Sequence, residues 1–190
     1  MSIDCYKIFQ LDKINPLIFI TPAIALILVA LMFIYLVGKV DNKEVFKRLS
    51  FIILALAFLL NFAWEVIQMP LYKGASFKIA HVAYCVLASV ADAIMVLLIF
   101  FGFALFYKNP FWVRNLTLRR IVILMLVGGI GAIIAEMRHV SAGSWAYNNS
   151  MPIIPIIDVG LSPVLQFILL PVGIYYFGFR ITKSLMKQHL

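Results

Sequence analysis

Four carboxylic acids, Glu65, Asp92, Glu136 and Asp158, lie inside or against long apolar runs of this 190-residue chain. An ionisable side chain near the middle of a membrane-spanning helix costs at least about 2.5–3.5 kcal/mol on insertion scales, so acids placed there are functional candidates by default. Their neighbours fall at helical spacing. Asn61, Glu65 and Gln68 stand at i, i+4 and i+7, and His81, Cys85, Ser89 and Asp92 at i, i+4, i+8 and i+11. Each set forms one stripe along a helix. Gly129, Ala132 and Glu136 share a third face, and Ser162 and Gln166 are one turn apart on a fourth. The chemistry that suits such a set is acid–base catalysis in an apolar setting. Asp92, the deepest acid, or Glu65 would donate a proton, and a second carboxylate or His81 would accept one. The ring faces of Trp145 and Tyr147 would stabilise positive charge. The catalytic candidates are therefore Glu65, Asp92, Glu136 and His81. The candidates for holding a substrate are Asn61, Trp64, Gln68, Trp145, Tyr147, Asp158 and Gln166.

Most of these residues also have a plainer role. Asn61, Glu65 and Gln68 suit interhelical hydrogen bonding, and Glu136 is close in sequence to Arg138 and His139, with which it could pair. Asp158 fits a solvated loop or the cap of the following helix, and His81 fits the membrane interface. Trp64, Trp145 and Tyr147 fit the interfacial aromatic belt. The group Gly128, Gly129 and Gly131 reads as helix packing.

The elements that position these residues follow from composition. The chain is 64% hydrophobic and 13% charged, with a mean hydropathy of +1.04, against roughly 45–50% apolar and about 25% charged in soluble domains. This predicts an all-α, polytopic transmembrane bundle forming a single domain over residues 1–190, with about five spans of roughly 20 residues. The spans are expected near 17–38, 51–69, 79–106, 121–137 and 163–180. The first run is too long for a secretory signal and is followed by Lys39, Lys43, Lys47 and Arg48, so it is expected to stay attached. The apolar stretch from Met151 to Gly178 would be about 42 Å long as one helix. Gly160, Ser162 and Pro163 predict a break, with helix 5 starting near Pro163 and a kink at Pro171. Residues 151–161 would then form a re-entrant or interfacial segment.

The net charge of +8 serves orientation rather than nucleic-acid binding. Lys39, Lys43, Lys47, Arg48, Lys108, Arg114, Arg119, Arg120, Arg180, Lys183 and Lys187 fall at one set of span ends, which makes 11. Lys7, Lys13, Lys73, Lys78 and Arg138 fall at the other, which makes 5. The richer side is expected to be cytoplasmic, which puts the N-terminus, Glu65, His81 and Glu136 toward the outside and Asp92 about 16 Å in from His81. Cys5 and Cys85 are 80 positions apart and imply no disulfide framework. Histidines at 81, 139 and 189, with no paired metal-ligand motif, predict no metal site. The chain also lacks a phosphate-binding glycine loop and a nucleophile elbow. No cofactor is expected.

The strings Asn61-Phe62-Ala63-Trp64-Glu65-Val66-Ile67-Gln68 through Tyr72, His81 followed by Asp92, Gly143-Ser144-Trp145-Ala146-Tyr147 with Met151 to Pro155, and Gly160 to Gln166 carry a resemblance. Together, over about residues 55–172, they resemble a family of small polytopic bacterial membrane proteins to which no activity is assigned. More distantly, the Trp64-Glu65 pair resembles the Trp-Glu of membrane terpene cyclases. Trp145 and Tyr147, followed by a proline-rich entry into a helix, resemble the layout of the integral-membrane lycopene cyclase domain. Those enzymes protonate an alkene or epoxide with a membrane-buried acid. Where lycopene cyclases carry a Pro-x-Glu-Glu sequence this chain reads Pro163-Val164-Leu165-Gln166, so the acid would come from Glu65, Asp92 or Glu136.

The expected function is an integral membrane enzyme, cyclase- or isomerase-like, acting on an apolar lipid or isoprenoid substrate in a bacterial inner membrane. The alternative is a small transporter or lipid-binding accessory protein that uses the same carboxylates as a proton relay or headgroup site. The expected partner is a membrane lipid or apolar small molecule, with no nucleic acid. Assembly as a homo-oligomer stays open.

Overall fold

The computed structural model describes residues 20–187. The expectations for Asp4, Cys5, Lys7, Asp12, Lys13, the start of the first span at Leu17 and His189 lie outside the described residues. Five α-helices carry the structure: α1 (Ile20–Val37), α2 (Lys43–Gln68), α3 (Ile79–Phe106), α4 (Leu118–Ser141) and α5 (Leu161–Lys187). All five are long and apolar enough to cross a membrane. Their outward surfaces are apolar as well, with Ile34 68%, Phe51 70% and Ile79 89% exposed. Water would penalise such a surface, whereas hydrocarbon does not.

Helix ends follow local chemistry. Asn42 Oδ1 accepts from the Val45 amide at 3.1 Å, and Lys47 donates to Glu44 at 2.8 Å in the first turn of α2. The helix thus begins at Lys43, ahead of the apolar run that starts at Phe51. At its other end Pro70 enters a 3-10 turn, Met69–Leu71, where its missing N–H interrupts no helical ladder. Helix α4 closes on Gly143 at φ 68. The Gly143 amide reaches the Val140 carbonyl and the Ser144 amide reaches that of His139, the paired bonds of a Schellman ending.

The principal packing partners are α1 with α3, α3 with α2, α2 with α5, and α5 with α4. The main core lies toward the end that carries residues 38–42 and 107–117. There Phe46, Phe100, Phe101, Trp112 and Tyr175 are fully buried. Their polar atoms are satisfied by backbone: Trp112 Nε1 donates to Phe100 O at 3.0 Å and Tyr175 Oη to Val96 O at 2.7 Å.

The α4–α5 contact depends on two residues acting together. Pro171 lies inside α5 and has no N–H, so the carbonyl of Phe167, four residues earlier, loses its helical partner. Gly128 of α4 sits directly on that carbonyl: a Cβ placed there would come within 3.0 Å of the Phe167 carbonyl carbon and closer still to its oxygen. Gly129 packs on Ile168, while Gly131 faces open space. Only two of the three glycines therefore serve the packing.

The apolar segment before α5 is a small hairpin, β1 (Ile153–Ile154) paired with β2 (Val159–Gly160) in antiparallel register, Ile153 opposite Gly160 and Ile154 opposite Val159. Its turn carries Ile156 at φ 79 and Asp158 at φ 52. Leu161 donates to Pro152 O at 2.7 Å, and α5 begins there, ahead of Pro163. Ser162 and Pro163 thus lie in its first turn, where proline removes no intrahelical bond.

Candidate functional site

At the end of the molecule opposite the aromatic core, the stripes on α2, α3 and α5 meet at one amide. Gln166 of α5, only 1% exposed, directs its Nε2 at Asn61 Oδ1 (2.9 Å), Asp92 Oδ2 (3.0 Å) and Glu65 Oε1 (3.3 Å). Gln68 Nε2 donates to Glu65 Oε1 at 2.9 Å and to Gln166 Oε1 at 3.2 Å. Ser162 Oγ donates to Gln68 Oε1 at 2.9 Å, and Asn61 Nδ2 to Ala57 O at 2.7 Å. Glu65 and Asp92 thereby share one donor, the Gln166 amide. Five of the sequence candidates, Asn61, Glu65, Gln68, Asp92 and Gln166, are thereby brought into one network. Ser162 completes it. Its place one turn before Gln166 was the available signal.

Glu136 belongs to a neighbouring cluster. It is buried on α4 and bonded by two loop residues, Trp145 Nε1 at 3.1 Å and the hydroxyl of Tyr147. Pairing with Arg138 or His139 does not occur. Arg138 donates to Thr21 on α1 at 3.2 Å, and the His139 ring stacks on Trp145 with centroids 4.3 Å apart. Tyr72 stands edge-on to Trp145 and against Tyr147, with centroids 6.4 and 5.8 Å apart. Tyr72 was not a sequence candidate. It lies two residues after Pro70, and only the fold shows what it touches.

The two loops at this end are tied by backbone. Lys73 N donates to Ala146 O at 2.9 Å and Asn148 N to Leu71 O at 2.8 Å, around a bridge between Tyr72 and Tyr147. Burial, and then the hydrogen bond to Glu136, hold the Tyr147 phenol above the ordinary tyrosine range. Burial, then the negative charge of Glu136, does the same for Tyr72. Both phenols keep their protons at neutral pH. Tyr147 is therefore a fixed donor to Glu136. Tyr147→Phe should free residues 144–149 to exchange their amides faster and cost about 1–3 kcal/mol. Hydrogen exchange and thermal denaturation in detergent check this, and unchanged exchange would show that the phenol does not hold the loop.

The remaining candidates are placed apart. His81 Nδ1 lies 2.8 Å from the Ser76 amide and 3.0 Å from its hydroxyl, so the ring organises residues 76–81 rather than joining Asp92. Asp158 is exposed in the hairpin turn. Trp64 is half-buried, and its buried Nε1 has no acceptor among the described residues.

Five lipid-compatible helices surrounding an interior network of carboxylates and amides define an integral membrane protein. No family model, curated protein or solved structure matches the chain.

Proposed function

We propose that this chain is an integral membrane enzyme that acts on an apolar lipid or isoprenoid substrate by acid–base chemistry, with the Glu65–Asp92 pair as the proton donor. The observation that carries this reading is that one buried amide holds both acids: Gln166 Nε2 lies within 3.3 Å of Asp92 Oδ2 and Glu65 Oε1. Two carboxyls gathered in this way in an apolar interior share one proton, and it is the one to be transferred. It would pass to a substrate alkene carbon, leaving a carbocation that the ring faces of Tyr72, Trp145 and Tyr147 stabilise. Loss of a proton from the adjacent carbon to Glu136 would restore an alkene and yield an isomer or a ring. The Trp64 Nε1–H, which has no acceptor among the described residues, is a further group for a substrate oxygen.

The distribution of basic residues supports an orientation with the Lys- and Arg-rich end cytoplasmic and the acid network toward the outside, in a bacterial inner membrane. The likeness of Trp64-Glu65 to the membrane terpene cyclases fits the same chemistry. In lycopene cyclases the acid stands where this chain has Gln166; here Gln166 instead binds two acids on other helices.

Apolar molecules that copurify after gentle extraction would be identified by mass spectrometry and offered as substrates to the protein in liposomes. Glu65→Gln with Asp92→Asn should lower turnover by about 10²–10⁴-fold while the melting temperature is largely kept, because the amides are isosteric. Full activity in the double variant would overturn the reading. A second reading, a proton-coupled transporter, draws on the hydrogen-bonded line from Ser162 through Gln68, Glu65 and Gln166 to Asp92, which also suits a relay. Uptake driven by a proton gradient, with the solute chemically unchanged, would favour it over the enzyme.

A further inference from the structure

At the opposite end of the molecule, far from the acid network, a cleft of about 720 Å³ opens between the start of α4, the 3-10 turn Trp112–Asn115 and α5. Its wall on α5 is one helical face: Val172, Tyr176, Phe179, Arg180 and Lys183 stand at i, i+4, i+7, i+8 and i+11. From Val172 to Lys183 the face runs about 16 Å along the axis, apolar at the inner end and cationic at the outer. Arg114 supplies a third cation from the facing wall.

No carboxylate among the described residues pairs with these cations. Among the described residues the only ion pair is Lys47 with Glu44. The Arg180 guanidinium rests on Tyr176, with Nε and Nη2 donating to its hydroxyl at 3.1 and 2.8 Å. That leaves three of its five N–H donors without an acceptor among the described residues. The tyrosine thus aims the guanidinium without cancelling its charge.

We propose that this cleft binds one anionic phospholipid, its headgroup phosphate held by Arg114, Arg180 and Lys183 and an acyl chain laid along Phe179, Tyr176 and Val172. A graded face of this kind matches an amphiphile at the membrane boundary, and basic pockets between transmembrane helices suit acidic headgroups. A small anion would use the three cations and leave the apolar depth of the cleft without a role.

The test is native mass spectrometry of the full chain, delipidated in neutral detergent and then exposed to phosphatidylglycerol, to phosphatidylcholine, or to inorganic phosphate. Wild type should retain a single phosphatidylglycerol with on the order of tenfold preference over phosphatidylcholine. The combination Arg114→Gln, Arg180→Gln and Lys183→Gln should reduce that preference to within about twofold. Val172→Trp, which fills the inner end and keeps every charge, should lower retention of phosphatidylglycerol as well. Helical content by circular dichroism checks that both variants are folded. Equal retention of the two lipids by wild type would overturn the proposal. So would displacement of phosphatidylglycerol by millimolar phosphate, or full retention in Val172→Trp, since either identifies a site for a small anion.

Discussion

Gly128→Ala should separate α4 from α5 and lower the unfolding midpoint sharply, at a cost of about 3 kcal/mol or more. Inserting one methyl group into a tight contact typically costs 1–3 kcal/mol when the neighbours can shift. Here the obstacle is backbone: the carbonyl of Phe167 occupies the space a Cβ would need. That carbonyl faces α4 without a helical partner because Pro171 has no N–H to offer it, and the Gly128 Cα–H is the group in position to contact it. Gly131→Ala is the matched control. Nothing lies within 4 Å of the position, and alanine is the better helix former by about 1 kcal/mol, so stability should hold or rise. Unfolding in detergent, followed by circular dichroism, reads both. Equal midpoints for the two variants would show that the close approach at Gly128 is unimportant.

Replacing Gln166 by leucine should be comparably severe, and through polarity rather than volume. The substitution strips donors from Asn61 Oδ1, Asp92 Oδ2 and Glu65 Oε1 and removes the acceptor of Gln68 Nε2. A buried polar atom left without its partner costs about 1–3 kcal/mol, and rearrangement within the network recovers part of the sum. A loss of at least about 3 kcal/mol is expected, together with loss of turnover, because the carboxyl pair would no longer be held in place. Chemical denaturation and the turnover assay measure the two separately. A variant as stable as wild type would mean that the network does not tie α2, α3 and α5 together.

The stripes on α2, α3 and α5 are legible in the sequence, because a helix repeats every 3.6 residues and polar side chains in lipid collect on the face turned away from it. Helix ends were harder to place. Hydropathy marks where a chain meets hydrocarbon, whereas the hydrogen-bond ladder continues past it. Helix α2 therefore takes in Lys43 and Glu44, and α5 runs on beyond Arg180. The hairpin at residues 153–160 was hidden because an apolar run of this length fits a strand, a helix or a re-entrant segment equally well. Gly128 and Gly131 illustrate a further limit. They share a residue type and a helix, yet three positions rotate the chain by roughly 300°, and only one of them meets α5.

By itself the sequence determined that this protein belongs in a bilayer, that its helices are apolar outside, and which few residues resist that setting. Those are properties of composition and local periodicity. Tertiary structure alone decided who meets whom: that Gln166 bridges two acids carried by separate helices, that Glu136 takes its partners from a loop rather than from Arg138 or His139, and that His81 serves the turn before α3. Such contacts join positions as distant as Gln166 and Asn61, 105 residues apart. They depend on how helices cross and how far loops reach, which no single helix encodes.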